Sequence, residues 1–563
     1  MKCTRFGGVA LLLLAAAGVG AEAPRPTLTE QVAMTDGTLL ATDVYLPDSG
    51  DGSWPALLIR TPYNKDRYNN EFDPFARRGY AVVIQDMRGR FGSQGRDLAF
   101  MDCGGNENND GHDTVQWIAR QPWCNGRVGT LGASAMGITQ NMMARTAPPN
   151  LVAQYIMVAA GSLYQHGAYN TGGAMRLEVS LAYTLDNALS PSNMWLNVLH
   201  PMYDDHWRRM DATIGIENAN VPAVHYGGWY DCFLPGTLTT FTARQERGGH
   251  GARGTQKLLI GPWAHGGPGT DARPHSIGEF QFPPNIRKLP VPIGINEWFD
   301  HYLQGRNTGA DRAPAVVYYT MGAIDEPGAP GNVWHTDHTW PPPHERRRLY
   351  LHADGRLTWK PPQHNDDAAR TLTSDPLNPV PTRGGANLAI PAGAFDQREI
   401  EKRPDVLVFT TEPLTEPVEV TGPVVANLLV TSDCPDTDFA VKLCDVYPDG
   451  RSMNICDGLL RLRHRRGADR LDLLEPGEVV SVRVDMDATS IVFNRGHRIR
   501  VHVTGSNYPR FDVNPNTGWP AWPFCPVRVA KNTVFCSADR ASCVELPVVT
   551  READGTIRRA HGQ

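Results

Sequence analysis

The 563-residue sequence lacks an apolar run of the ~20 residues that a membrane-spanning helix needs. It also lacks a basic excess, because 54 Lys and Arg stand against 60 Asp and Glu, for a net charge of −6. Binding to nucleic acid or to an anionic membrane surface is therefore not expected. A hydrophobic fraction of 41% and a charged fraction of 20% exclude collagen, coiled coil and wholesale disorder. At ~150 residues a domain, the length predicts three or four globular domains.

Motifs that hold cofactors are also missing. The sequence has no His-Glu-x-x-His, no Walker-type loop and no Gly-x-Gly-x-x-Gly fingerprint tied to a strand. None of the ten cysteines has zinc-ligand spacing, and the oxygen-rich residues 106–110 lack the spacing of a calcium loop. No cofactor and no metal ion is therefore expected.

The N-terminal segment predicts export. Two basic residues precede an apolar run over residues 9–19, and Ala21-Glu22-Ala23 then has the small-x-small form that signal peptidase cuts. We interpret residues 1–23 as a signal peptide, so that the mature protein is periplasmic or secreted, without membrane insertion after cleavage. The alternative, a membrane anchor, needs a longer apolar run. After cleavage an odd number of cysteines remains and at least one thiol stays free, although Cys536 and Cys543 are close enough in sequence to close a small loop.

Short apolar runs that are typical of buried parallel strands alternate with helix-like segments in the first part of the chain. The runs lie at residues 56–59, 80–84, 127–132, 151–158, 221–226 and 257–260. This alternation predicts an α/β sheet. Between residues 161 and 221 the strand pattern stops, which indicates an inserted, mainly helical cap. The α/β domain is thus expected over residues 24–160 and 222–335.

After about residue 341 the hydrophobic pattern changes to alternation at period two, as in residues 481–486 and 498–503. Turn sequences separate such stretches, which predicts antiparallel strands. We expect an all-β domain over residues 336–550, in the form of a sandwich or jelly roll, followed by a tail at 551–563. The basic residues within 461–466 are expected on the water-facing side of a strand.

Ser134 lies where a predicted strand ends and a helical pattern begins, in Gly132-Ala133-Ser134-Ala135-Met136-Gly137. This context is typical of a nucleophile elbow, a sharp turn whose small flanking residues hold the Ser hydroxyl clear of the sheet. The backbone N–H of Ala135, at the helix N-terminus, would then point toward an oxyanion. Alone, the motif is weak support for catalysis, and an ordinary helix start is the alternative.

A nucleophilic serine needs a base, and the base needs a carboxylate that fixes its tautomer. Downstream, Asp231 follows the apolar run 221–226 and His265 follows the run 257–260. The carboxyl ends of parallel strands meet at one edge of a sheet, so Ser134, Asp231 and His265 are expected to converge there. The order Ser, Asp, His is that of an α/β-hydrolase. Taken singly, Asp231 would be a turn-capping carboxylate and His265 a structural imidazole.

Several segments, in order, resemble the cocaine esterase and X-Pro dipeptidyl-peptidase-like (CocE/NonD) serine hydrolases over nearly the whole mature chain. Besides the segments around Ser134, Asp231 and His265, they are Arg60-Thr61-Pro62-Tyr63, Asp86-Met87-Arg88-Gly89, residues 121–129, Asp436-Thr437-Asp438-Phe439, residues 445–450 and residues 506–512. The resemblance implies an α/β-hydrolase domain with an inserted helical cap and a C-terminal all-β jelly-roll domain of the galactose-binding-like type.

The resemblance also implies roles for single residues. Ser134 matches the family's nucleophile, His265 its general base and Asp231 the orienting carboxylate. Tyr63 matches a tyrosine whose hydroxyl is an oxyanion donor, paired with the backbone N–H of Ala135. From composition alone, Tyr63 would be a packing residue.

Two departures from the family pattern bear on the substrate. The family usually places Tyr directly after the nucleophile, whereas Ala135 contributes no ring to the acyl pocket. In amino-acid ester hydrolases acidic residues closely follow the orienting Asp, but Cys232-Phe233-Leu234 follow Asp231, so an α-ammonium substrate is less expected. A cap carboxylate such as Asp186 or Asp204 would be a substitute, although each is more simply a solvated surface acid.

The expected function is hydrolysis of a small-molecule carboxylic ester or amide through an acyl-enzyme. A dipeptidyl peptidase that releases Xaa-Pro is the nearest alternative, but it needs a site for a free amino terminus that the sequence does not locate. A secreted carbohydrate-binding protein with an idle hydrolase domain is an alternative of another class. The sequence leaves the oligomeric state open, a homo-oligomer included.

Overall fold

The computed structural model describes residues 25–50, 52–68, 73–186, 188–270, 273–363, 368–519, 525–552 and 555–558. The signal peptide predicted at residues 1–23 lies outside these ranges and stays a prediction. Among the helices of the described residues, none is both long and apolar enough to cross a membrane.

The first part of the chain alternates strands with helices. Its strands are β1 (Leu28–Ala33), β2 (Leu39–Tyr45), β3 (Trp54–Thr61), β4 (Ala81–Asp86), β5 (Cys124–Ala133), β6 (Leu151–Met157), β7 (Ala223–Tyr230), β8 (Lys257–Ala264), β9 (Gly269–Thr270), β10 (Arg273–Pro274), β11 (Ser276–Ile277), β12 (Phe280–Gln281), β13 (Val316–Thr320) and β14 (Val333–Asp337). Its helices are α1 (Asp73–Ala76), α2 (Asp110–Ala119), α3 (Ala135–Ala144), α4 (Leu177–Leu185), α5 (Pro191–Leu199), α6 (Asp205–Arg208), α7 (Leu234–Arg247) and α8 (Ile295–Tyr302). Shorter helical turns lie at Lys65–Tyr68, Tyr164–Ala168, Ile216–Asn218 and Pro284–Arg287.

Ten of the strands in the described residues form one sheet, in the order β1-β2-β4-β3-β5-β6-β7-β8-β13-β14. Neighbours from β4 to β13 are parallel, and antiparallel pairs extend both edges. Helices cover both faces of the sheet. Successive residues of β3 point to opposite faces, and Leu57 packs in one core with Phe299 of α8, whereas Leu58 packs in a second core with Val115 of α2. The α/β sheet that the apolar runs predict is confirmed.

The segment between β6 and β7, residues 158–222, is called the cap here. It contains α4, α5 and α6, and it has an aromatic cluster of its own, in which the Tyr164 ring lies 5.4 Å from that of Trp207. Helix α4 also contacts the C-terminal region, because the buried Glu178 carboxylate accepts the backbone N–H groups of Leu388 and Ala389 at 2.7–3.2 Å. The cap is therefore held between the parallel sheet and the C-terminal region.

After residue 340 the described chain is β-structure, apart from α9 (Arg398–Glu401) and a 3-10 turn at Leu462–His464. The strands are β15 (Glu345–Leu351), β16 (Leu357–Thr358), β17 (Ala369–Ser374), β18 (Leu407–Thr410), β19 (Val418–Ser432), β20 (Asp438–Val446), β21 (Ser452–Arg461), β22 (Val480–Phe493), β23 (Arg498–Thr504), β24 (Ala530–Phe535) and β25 (Cys543–Val549). They form two antiparallel sheets, one ordered β16-β15-β25-β19-β24-β17 with β22 also on β19, the other β18-β23-β20-β21. Leu428 of β19 and Val441 of β20 belong to one shared core. The C-terminal all-β region is confirmed, while its jelly-roll form and the domain boundaries stay predictions.

The water-facing position expected for the basic residues of 461–466 is wrong for Arg461 and Arg463, which are each 2% exposed, and for His464, which is 4% exposed. The Arg461 guanidinium pairs with Asp438 at 3.0 Å and with Asp512 at 2.9 Å. Arg463 pairs with Asp436 at 3.1 Å. These buried cations are tolerated because each has a carboxylate partner.

Candidate active site

Ser134 is the first residue after β5 and stands at the N-terminus of α3. Its backbone has φ +58° and ψ −125°, a strained conformation for a residue with a side chain, as a nucleophile elbow requires. The tight turn also requires glycines, because a Cβ on Gly132 would lie 2.5 Å from the Met136 Cβ, and one on Gly137 would lie 2.7 Å from the Ala159 Cβ. Ser134 is 8% exposed, so its hydroxyl lies in a nearly closed site.

Asp231 and His265 each directly follow a strand of the same sheet, β7 and β8. Because β5, β6, β7 and β8 are successive parallel neighbours, the residues after β5, β7 and β8 share one edge of the sheet. His265 Nδ1 lies 2.8 Å from Asp231 Oδ1, and both residues are buried. A carboxylate only accepts hydrogen bonds, so Nδ1 is the donor of this bond, and in the neutral imidazole Nε2 would then hold the lone pair that can act as a base.

Tyr63 follows β3 by two residues and brings its hydroxyl to 3.4 Å from Ser134 Oγ. Burial raises the pKa of Tyr63 to about 12, against the opposing effects of the Ser134 hydroxyl and the Ala135 backbone N–H. The phenol therefore keeps its proton at neutral pH. Because the Tyr63 hydroxyl and the Ala135 N–H lie together beside Ser134, both can donate hydrogen bonds to one oxyanion.

Arg176 joins the cap to the turn that carries Asp231. Its Nη2 donates a hydrogen bond to the carbonyl of Cys232 at 2.6 Å, and its Nη1 donates one to the carbonyl of His166 at 2.7 Å. Hydrogen bonds from a buried cation are stronger than neutral ones. The cap thus fixes the backbone next to Asp231, a role that no signal around Arg176 in the sequence indicates.

Two aromatic residues that the sequence reasoning missed lie at the same site. Tyr183 of α4 has a buried hydroxyl without a hydrogen-bond partner in the described part of the chain. Burial raises the pKa of Tyr183 well above its ordinary value, and the nearby Ser134 hydroxyl opposes this shift. The Phe233 ring packs 6.0 Å from that of Tyr183 and 5.3 Å from the His265 imidazole. Tyrosines recur in the cap at mixed spacing, so no pattern separates Tyr183 from the others.

Of the two cap acids considered as ammonium ligands, Asp186 is near the site. It directly follows α4 as the C-cap residue, and its charge contributes to the raised pKa of Tyr63. Burial raises the pKa of Asp186 itself, partly offset by the Arg67 guanidinium. Asp204 instead caps α6 and contacts His200 Nδ1 at 2.5 Å.

Within the described ranges, the cluster of side chains that could hold a metal ion is Asp231, Cys232 and His265, whose candidate ligand atoms all lie within 4.8 Å of one another. Cys232 is a free thiol, as are the other cysteines of the described residues. The loop considered for Cys536 and Cys543 is therefore not closed by a disulfide.

Comparison with known proteins agrees with this architecture. Residues 36–193 and 183–267 match the X-Pro dipeptidyl-peptidase (S15) family, and residues 308–545 match the X-Pro dipeptidyl-peptidase C-terminal non-catalytic domain. The chain is 33% identical to the cocaine esterase of Rhodococcus sp. (strain MB1 Bresler) over 586 aligned residues, which cover 92% of this chain and 98% of that protein.

Two solved structures share the fold over nearly the whole chain. An aminopeptidase from the marine sediment archaeon Thaumarchaeota archaeon has a TM-score of 0.80 at 26% identity, covering 95% of this chain and 99% of its own. An α-amino acid ester hydrolase has a TM-score of 0.78 at 24% identity, covering 94% and 98%. The sequence matches and the shared architecture together show that the chain belongs to the cocaine esterase and X-Pro dipeptidyl-peptidase-like family of serine-type hydrolases.

Proposed function

We propose that the protein is an exported serine hydrolase that cleaves carboxylic esters or amides of small molecules through an acyl-enzyme. The observation that carries the proposal is the 2.8 Å hydrogen bond between His265 Nδ1 and Asp231 Oδ1, at the sheet edge where Ser134 occupies a strained turn. Family membership supports hydrolysis, and Ser134, His265 and Asp231 are the side chains that would perform it.

In the proposed acylation step, Ser134 Oγ attacks the carbonyl carbon of the substrate while its proton passes to His265 Nε2. The Asp231 carboxylate stabilises the imidazolium that forms, and its full burial limits screening of this attraction by water. As the tetrahedral intermediate collapses, the bond to the leaving group breaks and the Nε2 proton passes to the leaving alkoxide or amine. Water then repeats the sequence on the acyl ester, which releases the acid and restores Ser134.

The developing oxyanion would be held by the Tyr63 hydroxyl and the Ala135 backbone N–H. The Tyr63 hydroxyl, 3.4 Å from Ser134 Oγ, is within reach of an oxygen on the carbon that Oγ attacks. Its pKa of about 12 supports the role of donor at neutral pH. The Ala135 N–H adds the positive end of α3, which favours negative charge at the same place.

Esters and simple acyl amides are favoured over substrates with a free amino terminus. The residues after Asp231 are Cys232, Phe233 and Leu234, which are at most 1% exposed and carry no carboxylate for an ammonium group. Asp186 is the observation that favours the second candidate, a peptidase such as one that releases Xaa-Pro, because its carboxylate is close enough to influence Tyr63. The similarity to an aminopeptidase supports the same candidate.

The deciding experiment compares kcat/KM of the wild-type protein on p-nitrophenyl acyl esters, a glutaryl amide and an Xaa-Pro anilide. We expect turnover of the esters, with the Xaa-Pro anilide inert. Faster cleavage of the anilide would establish the peptidase, and Asp186→Asn should then lower kcat/KM for the anilide more than for the esters, because only the anilide carries an ammonium group. Failure to cleave any of the three would contradict hydrolysis of small acyl compounds.

Export is supported by the N-terminal pattern alone. When the full chain is expressed in a bacterial host, we expect the protein in the periplasm or the medium with an N-terminus at Pro24, because the small-x-small pattern ends at Ala23. N-terminal sequencing of each cell fraction measures this. A cytoplasmic protein that retains Met1 would contradict export.

A further inference from the structure

The thiol of Cys232 lies beside the Asp231–His265 pair and has no part in the proposed mechanism. Its Sγ is 3.7 Å from His265 Nδ1, and Cys232 is 1% exposed. Asp231 Oδ2 is also buried and has no hydrogen-bond partner in the part of the chain that the structure describes. A sulfur, an imidazole nitrogen and an unpaired carboxylate oxygen are thus enclosed together.

These three atoms match the ligands that zinc prefers. With Zn–N distances of 2.0–2.1 Å and a Zn–S distance of 2.3 Å, tetrahedral geometry sets nitrogen and sulfur about 3.5 Å apart. The separation of 3.7 Å between His265 Nδ1 and Cys232 Sγ is close to this value. The Asp231 carboxylate can supply the third ligand, because one ligand atom from each of the three residues lies within 4.8 Å of the others.

We propose that Asp231, Cys232 and His265 form an inhibitory binding site for Zn²⁺ or another thiol-binding divalent cation. The cation binds the lone pair of His265 Nδ1, and the proton of that nitrogen moves to Nε2, so the imidazole stays neutral. The Cys232 thiol loses its proton to solvent, and Asp231 binds through its carboxylate. No group is oxidised or reduced.

Metal at Nδ1 removes the base that the proposed mechanism needs. With the proton on Nε2, His265 has no lone pair for the Ser134 hydroxyl, and Asp231 no longer orients the ring by a hydrogen bond. The inhibitory effect therefore rests on the proposed function, whereas binding of the cation does not.

A small cavity between the cap and the C-terminal region reaches Cys232. Its volume of about 20 Å³ is enough for roughly one water molecule, and so for one cation. Its polar lining combines Cys232 with three carboxylates and two guanidinium groups, those of Asp457, Asp485, Asp487, Arg176 and Arg510. Cys232 thus lines a polar cavity whose lining does not include Ser134.

The first measurement is Zn²⁺ inhibition of p-nitrophenyl ester hydrolysis, taken as the ratio of rates with and without metal so that changes in basal turnover cancel. Micromolar Zn²⁺ should inhibit the wild-type protein, and EDTA should restore its rate. Cys232→Ser should raise the concentration for half-inhibition by more than about tenfold, because a ligand is lost. Cys525→Ser is the matched control, since Cys525 is a more exposed free thiol in the C-terminal region, and it should leave that concentration unchanged.

The second measurement is Co²⁺ binding to Ser134→Ala, which is detected by the near-ultraviolet absorption of a cobalt–thiolate bond. This signal should appear with Cys232 present and vanish in the double variant that also carries Cys232→Ser. If this absorption appears but the wild-type protein shows no serine-dependent hydrolysis, the metal site is supported and the proposed function is overturned. If Zn²⁺ does not inhibit and the absorption is absent, or if Cys525→Ser removes them instead, the metal site is excluded and the proposed function is unaffected.

Discussion

Replacing Ser134 by alanine should lower kcat on p-nitrophenyl esters by roughly four to six orders of magnitude, because the oxygen proposed to attack the substrate is removed. KM should change far less, since the groups that contact the substrate remain. The fold should survive, because alanine keeps the Cβ that already tolerates φ +58° and loses only a long hydrogen bond of 3.4 Å to Tyr63. Steady-state kinetics measure the loss, and thermal unfolding of both proteins verifies the fold.

Ser162→Ala is the control for this variant. Ser162 is also buried, and its hydroxyl has no hydrogen-bond partner within the described residues, so its removal should leave kcat unchanged. A fluorophosphonate should label the wild-type protein and Ser162→Ala but not Ser134→Ala. Wild-type turnover by Ser134→Ala would remove the assignment of Ser134 as the nucleophile.

The parallel sheet could be predicted because its signal is local. Its inner strands are buried on both faces, so each forms a continuous apolar run, and the run at residues 56–59 lies within β3. In the C-terminal region the strands could be predicted but not the sheets. Strand β19 pairs with β22, β24 and β25, partners that lie far away in sequence and leave no mark on β19 itself.

The basic cluster at residues 461–466 shows why alternation fails where a strand is covered on both sides. All ten residues of β21 are buried, so its last residue, Arg461, has no water-facing side. Asp438 lies opposite Arg461 in the antiparallel register, and Asp512 reaches it from a loop. The sequence of β21 alone does not show either carboxylate partner. A buried Arg–Asp pair therefore cannot be distinguished from solvent-exposed basic residues by the alternation pattern.

The residues of the candidate site also separate into those that the sequence could predict and those that it could not. Ser134, Asp231 and His265 could be predicted because sheet topology alone brings the ends of β5, β7 and β8 to one edge. Tyr63 required the family resemblance, since a tyrosine after a strand is usually a packing residue. Tyr183 and Arg176 reach the site from the cap, whose position depends on distant contacts such as that of Glu178 with the backbone of Leu388. No local pattern encodes such a contact.

Replacing Tyr63 by phenylalanine should lower kcat by about a hundredfold, because one of the two proposed oxyanion donors is lost. KM should change less, since the ring and its packing remain and the hydroxyl acts mainly on charge that develops during the reaction. The Ala135 N–H is unaffected and should support the remaining turnover. The measurement is kcat and KM on p-nitrophenyl esters across neutral pH, where the pKa of about 12 keeps the Tyr63 hydroxyl protonated.

Tyr183→Phe is the matched comparison, because it removes the other tyrosine hydroxyl near Ser134. That hydroxyl makes no hydrogen bond within the described residues, so its loss leaves no group unsatisfied and should reduce kcat much less than Tyr63→Phe does. A wild-type kcat for Tyr63→Phe would contradict the role of oxyanion donor and would indicate that Tyr63 is a packing residue. If kcat fell about a hundredfold in Tyr183→Phe instead, the second oxyanion donor would come from the cap. Closure of the cap over the sheet edge would then be part of catalysis.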